Sequence, residues 1–294
     1  MNQTIRTKYI LGTVSMKNLY WWFRGLSKRI QDSAVFSMSV VGFISTFFSV
    51  LGISLEDILK GTVWIRVASV IIVSVILALG YYIIIGMVYK DSVTLTIAQT
   101  PVEISTGDLF ADNDEWKVIG CDTHFNTRVD DVVISKKSLH GKLVLEHGRE
   151  DEIKKVVEDA ANKLGLKPDS EGLYTFPLGT IIKYDSSADN NTYLMLAMTE
   201  LNAQYEAHTN MAKYEHMLMT MWKEIDRVYA SYDIVLPILG AGISRFDDGP
   251  KNPEALLRCM LCTFNSSGVS FNSKVKIVVC KNSEDIPLYE YKNI

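Results

Sequence analysis

The chain has 294 residues and a formal net charge of −4, a length that fits one large domain or two small ones. Its four cysteines (Cys121, Cys259, Cys262 and Cys280) lack the dense spacing of a disulfide-stapled secreted domain, so a reducing compartment is expected. Charge divides the chain: residues 1–66 hold eight Lys/Arg against three acids, and the remainder holds 22 basic against 31 acidic residues, which excludes the basic footprint of a non-specific nucleic-acid binder from the larger part.

Mean hydropathy is +0.10, and two stretches account for it. Ser33 to Leu55 and Val67 to Tyr89 contain no charged residue, and each exceeds the roughly 20 residues that cross a bilayer core as a helix. Ahead of them, Leu19, Trp22, Phe23, Leu26 and Ile30 recur at helical spacing, with Lys17, Arg24, Lys28 and Arg29 interleaved. Residues 1–32 therefore read as a basic amphipathic segment lying in the headgroup layer of an anionic cytoplasmic surface. A cleavable signal peptide is not expected, because the apolar run begins late and is too long.

The first spanning helix is predicted from about Ala34 to Ile53. Ser39, Gly42 and Thr46 fall on nearly one of its faces, which suits close contact within a hairpin or between copies. Glu56, Asp57 and Lys60 mark a short turn. The second helix is predicted from Trp64 to about Tyr89, with Tyr81, Tyr82 and Tyr89 as an interfacial belt. Six Lys/Arg precede the first helix, and only Lys60 and Arg66 lie between the two runs. Residues 33–89 thus read as a two-helix transmembrane hairpin in the cell inner membrane, multi-pass, with both termini cytoplasmic. Neither run holds an ionisable residue, which argues against a pore with a charged filter.

Residues 90–294 read as one cytoplasmic domain. Ser92 to Ala98 and Val102 to Leu109 alternate as strands, and Lys117 to Gly120 starts a third before the polar loop Cys121 to Thr127. Val129 to Leu139 fits helix or strand. Glu150 to Leu164 is a helix closed by Gly165. Two strands follow, Gly179 to Tyr184 and Tyr193 to Thr199, then a long helix over His208 to Tyr232. A buried strand, Ile234 to Leu239, runs into Gly240-Ala241-Gly242. Glycines there let the backbone turn sharply, and successive N–H groups form a nest for phosphate oxygens. A helix from Pro253 to about Phe264 and a core strand from Lys274 to Cys280 complete an α/β sandwich with a mixed sheet.

Other chemistry is thinly represented. Cys259-Met-Leu-Cys262 has metal-ligand spacing but no second pair, and its apolar helical setting predicts buried thiols. The five histidines form no H-E-x-x-H. Asp122 and His124 could make an acid–base pair, although a satisfied loop histidine is the simpler expectation. There is no phosphate-binding G-x-x-x-x-G-K-[ST] and no serine elbow. No catalytic residue, metal or cofactor is assigned.

Two pieces carry a resemblance. Val102-Glu-Ile-x-x-Gly107-Asp108-Leu109 resembles the opening strand of macro domains, the ADP-ribose-binding modules, and Pro237-x-Leu-Gly-Ala-Gly-Ile-Ser-Arg-Phe246 resembles their phosphate loop. The fold implied is α/β, a macro-domain-like three-layer sandwich with mixed sheet, preceded by an N-terminal transmembrane helical hairpin. By the same resemblance Asp108 contacts adenine, the backbone of Gly240, Ala241, Gly242, Ile243 and Ser244, continuing into Arg245, cradles diphosphate, and Phe246 stacks on ribose or base. Asp122 and Asn126 sit where the family closes over the distal ribose. The chain departs from hydrolytic macro domains, which carry Asn-Ala-Ala-Asn and a glycine-rich loop where this one has Cys121-Asp-Thr-His-Phe-Asn-Thr127. Binding is therefore expected over hydrolysis, with a membrane-bound ADP-ribosyl hydrolase as the alternative and a scaffold with a dead pocket as the plainest rival.

With Phe176-Pro-Leu-Gly-Thr180 and Tyr193-Leu-Met-Leu-Ala-Met-Thr199, the whole chain resembles the membrane-anchored macro-domain effectors of type II Thoeris anti-phage defence. That resemblance implies a TIR-domain partner that makes an ADP-ribose-derived signal from NAD, such as histidine–ADP-ribose. It also implies a homo-oligomer that disrupts the lipid bilayer when the signal binds, causing cell death.

Overall fold

A computed structural model describes residues 26–54, 61–111, 114–202, 204–242, 244–280 and 286–291. Predictions for Leu19, Trp22, Phe23, the turn at Glu56, Asp57 and Lys60, and Ile243 lie outside these residues. The chain divides into two compact units, one of Met1–Lys90 with Leu288–Asn293 and the other of Asp91–Pro287.

The first unit is a hairpin of α1 (Lys28–Val50) and α2 (Val63–Val88). Both are long and apolar enough to cross a membrane. Phe43, Val50, Trp64, Ile76 and Met87 are exposed along them, an arrangement that water does not favour. α1 starts earlier than predicted, so Lys28, Arg29 and Asp32 open the same helix that carries the apolar run. The predicted face of Ser39, Gly42 and Thr46 is not the seam within the hairpin: all three are exposed, and Thr46 Oγ1 donates to its own helix at Gly42. The seam runs instead along Arg29, Ser33 and Ser37. Ser37 Oγ donates to the Ser74 carbonyl at 2.7 Å. Arg29 Nε donates to the Tyr82 carbonyl at 2.9 Å, with the guanidinium 3.7 Å above the Tyr82 ring. A Cβ at Gly86 would overlap that guanidinium, so this glycine makes room for the arginine.

Among the described residues the second unit is built on nine strands: β1 (Ser92–Ile97), β2 (Thr100–Gly107), β3 (Trp116–Asp122), β4 (Ile181–Asp185), β5 (Thr192–Leu201), β6 (Ala207–Thr209), β7 (Ile234–Pro237), β8 (Arg245–Phe246) and β9 (Val275–Cys280). They run in the order β1-β2-β9-β7-β3-β5-β6-β8, with β4 antiparallel on β5. β2, β9, β7, β3 and β5 are mutually parallel, and the antiparallel β1 and β4 make the sheet mixed. At the centre of the sheet, Ile234 to Leu236 of β7 and Tyr193 to Ala197 of β5 are buried on both faces, whereas β2 carries exposed or part-exposed residues between its buried ones.

Helices cover both faces. One carries α3 (Leu139–Lys142), which continues as a π turn over Leu143–His147, and α4 (Glu150–Leu164). Leu143, Ile153, Val157 and Ala161 meet Ile119, Tyr193 and Met195 there. Gly165 ends α4 in the left-handed region at φ 68°, where glycine carries no Cβ penalty. α5 (Met211–Val228) and α6 (Pro253–Ser266) pack on each other and on the sheet. Their N-caps, Asn210 and Asn252, accept from Lys213 and Ala255 N–H, satisfying donors that the first turn leaves open.

Three expectations change. Of the segment Val129 to Leu139, all but Leu139, which opens α3, is irregular rather than helix or strand, because Asp130 and Asp131 accept backbone N–H groups of Val132, Val133 and Lys136 and fold it into turns. His208 belongs to β6, not to the long helix, which starts after the Asn210 cap. Cys259 is only half-buried and Cys262 is exposed, since α6 buries Leu256, Leu257, Met260, Leu261 and Phe264 and turns position 262 outward.

Trp222 anchors the α5–α6 contact. It is 1% exposed, its ring centroid lies 4.6 Å from that of Phe264, and its Nε1 donates to Thr263 Oγ1 at 3.3 Å. Trp222→Ala is expected to destabilise the unit by about 3–5 kcal/mol through cavity formation, measured by denaturant unfolding of the detergent-solubilised protein.

Candidate functional site

A cleft of about 780 Å³ opens at the carboxyl ends of the parallel strands. It exists because β3 and β7 part company. They pair only through Trp116–Ile234 and Lys117–Val235, whereas β7 stays in register with β9 to its end, Pro237–Val278. Beyond the last shared pair, Gly120 faces the opening. A Cβ there would lie 2.8 Å from Met198 Sδ, so glycine lets Met198 and Leu239 close the floor. A gap between diverging parallel strands, at their carboxyl ends, is where open α/β sheets place ligands.

Each strand end supplies a wall. β2 gives Gly107 and Asp108, β3 gives Cys121 and Asp122, β5 gives Met198 and Thr199, and β9 gives Val278 and Cys280. The loop after β7 contributes Pro237 through Gly242 and Ser244, so most of the predicted phosphate loop lines the cleft. Asp108 lines it too, its Oδ1 accepting from Phe110 N–H at 3.2 Å, which fixes the carboxylate at the strand end. Asn126, Arg245 and Phe246 do not line it.

The loop is braced at both ends. Tyr214 Oη donates to the Leu239 carbonyl at 2.8 Å. Gly240 has φ 80°, and a Cβ there would sit 3.4 Å from the Phe246 ring. Phe246 meets Tyr214 edge to face at 5.5 Å and is 9% exposed. It therefore forms a buried platform under the turn. The Ala241 N–H is spent on the Ile238 carbonyl. Among the described residues nothing accepts from the N–H groups of Gly240 and Gly242, the donor pattern of an anion nest. Gly242 has nothing within 4 Å of a built Cβ, so it borders open space.

On the outgoing side, Asp247 N–H donates to the Thr209 carbonyl. His208 links the strand to both neighbours, with Nδ1 2.6 Å from Asp247 Oδ1 and Nε2 3.4 Å from Glu206 Oε2. Arg245 spends its guanidinium on Glu206 at 2.6 Å.

Asp122 organises the opposite loop. It is 5% exposed and accepts from His124 N–H at 2.8 Å, Asn126 N–H at 3.3 Å and Asn126 Nδ2 at 2.9 Å. Burial pushes its carboxyl up, but the hydrogen bonds from His124 and Asn126 and the nearby His140 outweigh burial and hold it below the usual range. The Asp122 bond raises His124, whose Nε2 lies 3.2 Å from Thr175 Oγ1. His124 is thus a satisfied loop histidine. Asn126 turns its amide to Asp122, which explains its absence from the cleft wall.

Sequence reasoning missed one wall altogether: Ile134, Ser135, Lys137, Ser138, His140 and Lys142. Ser138 caps the α3 turn by accepting from Gly141 N–H at 2.9 Å, a Ser-x-x-Gly signal that was legible. A Cβ at Gly141 would strike the Ser135 carbonyl, so the turn presses tightly on the preceding loop. His140 is buried beside Asp122, and burial lowers its pKa below the usual value, keeping the ring neutral near pH 7. Cys121, at the strand end, is pushed well up by burial and is not a thiolate.

Strand order, splayed centre and glycine loop define this unit as a macro domain. A family model described as Thoeris protein ThsA, Macro domain, matches residues 102–280, and the chain belongs to that family. Thoeris protein ThsA of Bacillus amyloliquefaciens (strain Y2) is 27% identical over 259 residues, covering 85% of this chain and 84% of that protein. Among solved structures, the Oceanobacillus iheyensis macrodomain with ADP is similar at TM-score 0.45 and 16% identity, covering 68% of this chain and 94% of that one. The Thermosipho africanus DarTG in complex with ADP-ribose is similar at TM-score 0.43 and 15% identity, covering 66% and 45%.

The Asp247 and Glu206 bonds raise the His208 pKa above its ordinary value near 6.5. A raised histidine stabilises fully below 6.5 and loses that contribution as pH climbs through the folded-state value. The brace beside the loop is therefore expected to weaken from just above pH 6.5 upward. Thermal unfolding followed across that window should show the loss, and His208→Gln should flatten it.

Proposed function

We propose that the chain is a ligand-gated membrane effector of anti-phage defence. Residues 90–294 form its cytoplasmic sensor, which binds an ADP-ribose-derived nucleotide, such as histidine–ADP-ribose, made by a TIR-domain partner. Residues 33–89 form a hairpin that spans the inner membrane, with residues 1–32 at its cytoplasmic surface. Ligand binding favours a homo-oligomer that disrupts the bilayer and kills the infected cell.

One observation carries this reading: Asp108 and the loop residues Gly240, Ala241, Gly242 and Ser244 line the same cleft at the carboxyl ends of five parallel strands. A carboxylate on one wall suits the exocyclic amine of adenine. Free N–H groups around Gly240 and Gly242 suit a diphosphate without a lysine. The cleft volume falls within the range of nucleotide-sized sites. The family match and the ThsA relative support the defence context, and the two helices long and apolar enough to cross a membrane support a bilayer as the site of action. Asp122 is held by three donors from its own loop, so we assign it to shaping the cleft and take binding, not hydrolysis, as the function. Release of free ADP-ribose from an ADP-ribosylated protein would overturn that choice.

The first test is a thermal-shift series on the full chain in detergent with ADP-ribose, NAD and histidine–ADP-ribose. A ligand at a hundred times its dissociation constant adds about 2.7 kcal/mol, and the reading requires at least one of the three to stabilise. Gly242→Glu places bulk and negative charge in the open space over the nest. It is expected to weaken binding by about 100-fold or more with the unliganded melting temperature unchanged, whereas Gly240→Val should lower that temperature, because φ 80° excludes a branched side chain.

A further inference from the structure

A single 3-10 turn at Leu288–Tyr291 ties the two ends of the hairpin together. The Glu290 carboxylate accepts from Lys28 N–H, at 2.9 and 3.2 Å to its two oxygens. Lys28 is the first residue of α1, and the preceding Ser27 makes no side-chain cap. Glu290 therefore supplies, from the far end of the sequence, the anionic cap that the helix lacks locally. The Tyr289 hydroxyl donates to Asp32 Oδ2 at 2.6 Å, and Asp32 pairs with Lys28 at 2.9 Å. The Tyr289 ring meets Tyr89, the C-cap of α2, edge to face with centroids 5.3 Å apart. Leu288, Tyr289 and Tyr291 are buried.

These contacts hold the start of α1 against the end of α2. Any rearrangement of one helix past the other at this end has to break them first. Along the chain, the turn follows β9, whose Val278 and Cys280 line the cleft. Residues 281–287 join Cys280, at the end of β9, to Leu288, so the strand that forms one cleft wall and the turn that fastens the hairpin are neighbours in sequence.

We propose that Leu288–Tyr291 is an autoinhibitory clasp: it keeps α1 and α2 in a resting arrangement, and filling of the cleft releases it through β9. The proposal rests on the reading of the cleft as a sensor and of the hairpin as membrane-active. A ligand shifts such an equilibrium only through its differential affinity for the two states. Weakening the clasp therefore substitutes for ligand, and the active state is reached without a signal.

The test uses the full chain reconstituted in dye-loaded vesicles of phosphatidylethanolamine and phosphatidylglycerol, with no nucleotide. Tyr289→Phe removes the bond to Asp32, Glu290→Gln removes the charged cap, and deletion of 288–294 removes the clasp entirely. Each is expected to raise spontaneous dye release by about tenfold or more over the unchanged chain, the effect of losing one charge-assisted bond. Leakage no higher than the unchanged chain in both conservative variants, with far-ultraviolet circular dichroism showing intact helices, would overturn the clasp. Should the deletion fail to insert, the two point variants decide alone. ADP-ribose thermal shifts on the same samples separate the two ideas. Unchanged shifts with raised leakage support the clasp, unchanged shifts without leakage sink the clasp alone, and absent shifts in the unchanged chain count against ADP-ribose sensing whatever the leakage.

Discussion

The divergence of β3 from β7 is the constraint on which the second unit depends. Two parallel strands that share only two register pairs leave backbone edges and side chains to be satisfied beyond the point of separation. The chain meets this with glycine at 120, a methionine and a leucine at the floor, and the segments that follow β3 and β7 along the walls. Had β3 and β7 stayed paired to their ends, the sheet would close and the nest would have no space to face.

The two loops are held by different means. The loop after β7 stands on apolar support, Tyr214 and Phe246 beneath a left-handed glycine, with a rim of charge in Glu206, His208, Arg245 and Asp247. The loop after β3 is held by one buried carboxylate that gathers three donors. The first kind of support leaves backbone N–H groups pointing outward, which suits recognition of an anion. The second consumes the polar groups of its own loop, which suits shape over chemistry. Removing the Asp122 carboxylate would strand buried donors; removing Phe246 would take the floor from under the turn.

The hairpin follows another physical rule. Its outward surface is apolar, and its inner seam is bonded by the Ser37 hydroxyl and one arginine, each donating to a carbonyl of the facing helix. Such bonds hold two helices in register where apolar contact alone gives no preference between partners. At one end the seam continues into the contacts from Glu290 and Tyr289, beside the Lys28–Asp32 ion pair.

Much of this was legible from residues alone. Uncharged runs give the two helices because length and apolarity are local properties. Asn252-Pro253 and Gly165 mark helix ends because caps are local as well. The strand before Gly240 and the loop after it could be read for the same reason, as could Asp108 at its strand end. What the sequence left undecided depended on neighbours distant in the chain. Phe246 was assigned to the ligand and lies under the loop, because only packing against Tyr214 fixes which way the ring turns. Asn126 was placed in the cleft, but its amide is claimed by Asp122. The wall from Ile134 to Lys142 escaped notice because side-chain turns at Asp130 and Asp131, not a periodic pattern, shape it. The bond from Glu290 to Lys28 joins residues 262 apart, and no local signal encodes it. Sequence determined the elements, their ends and one glycine nest through short-range sterics and hydrophobic periodicity; the cleft, its second wall and the fastening of the hairpin were decided by tertiary structure, because each depends on groups that only folding brings within hydrogen-bonding or van der Waals reach.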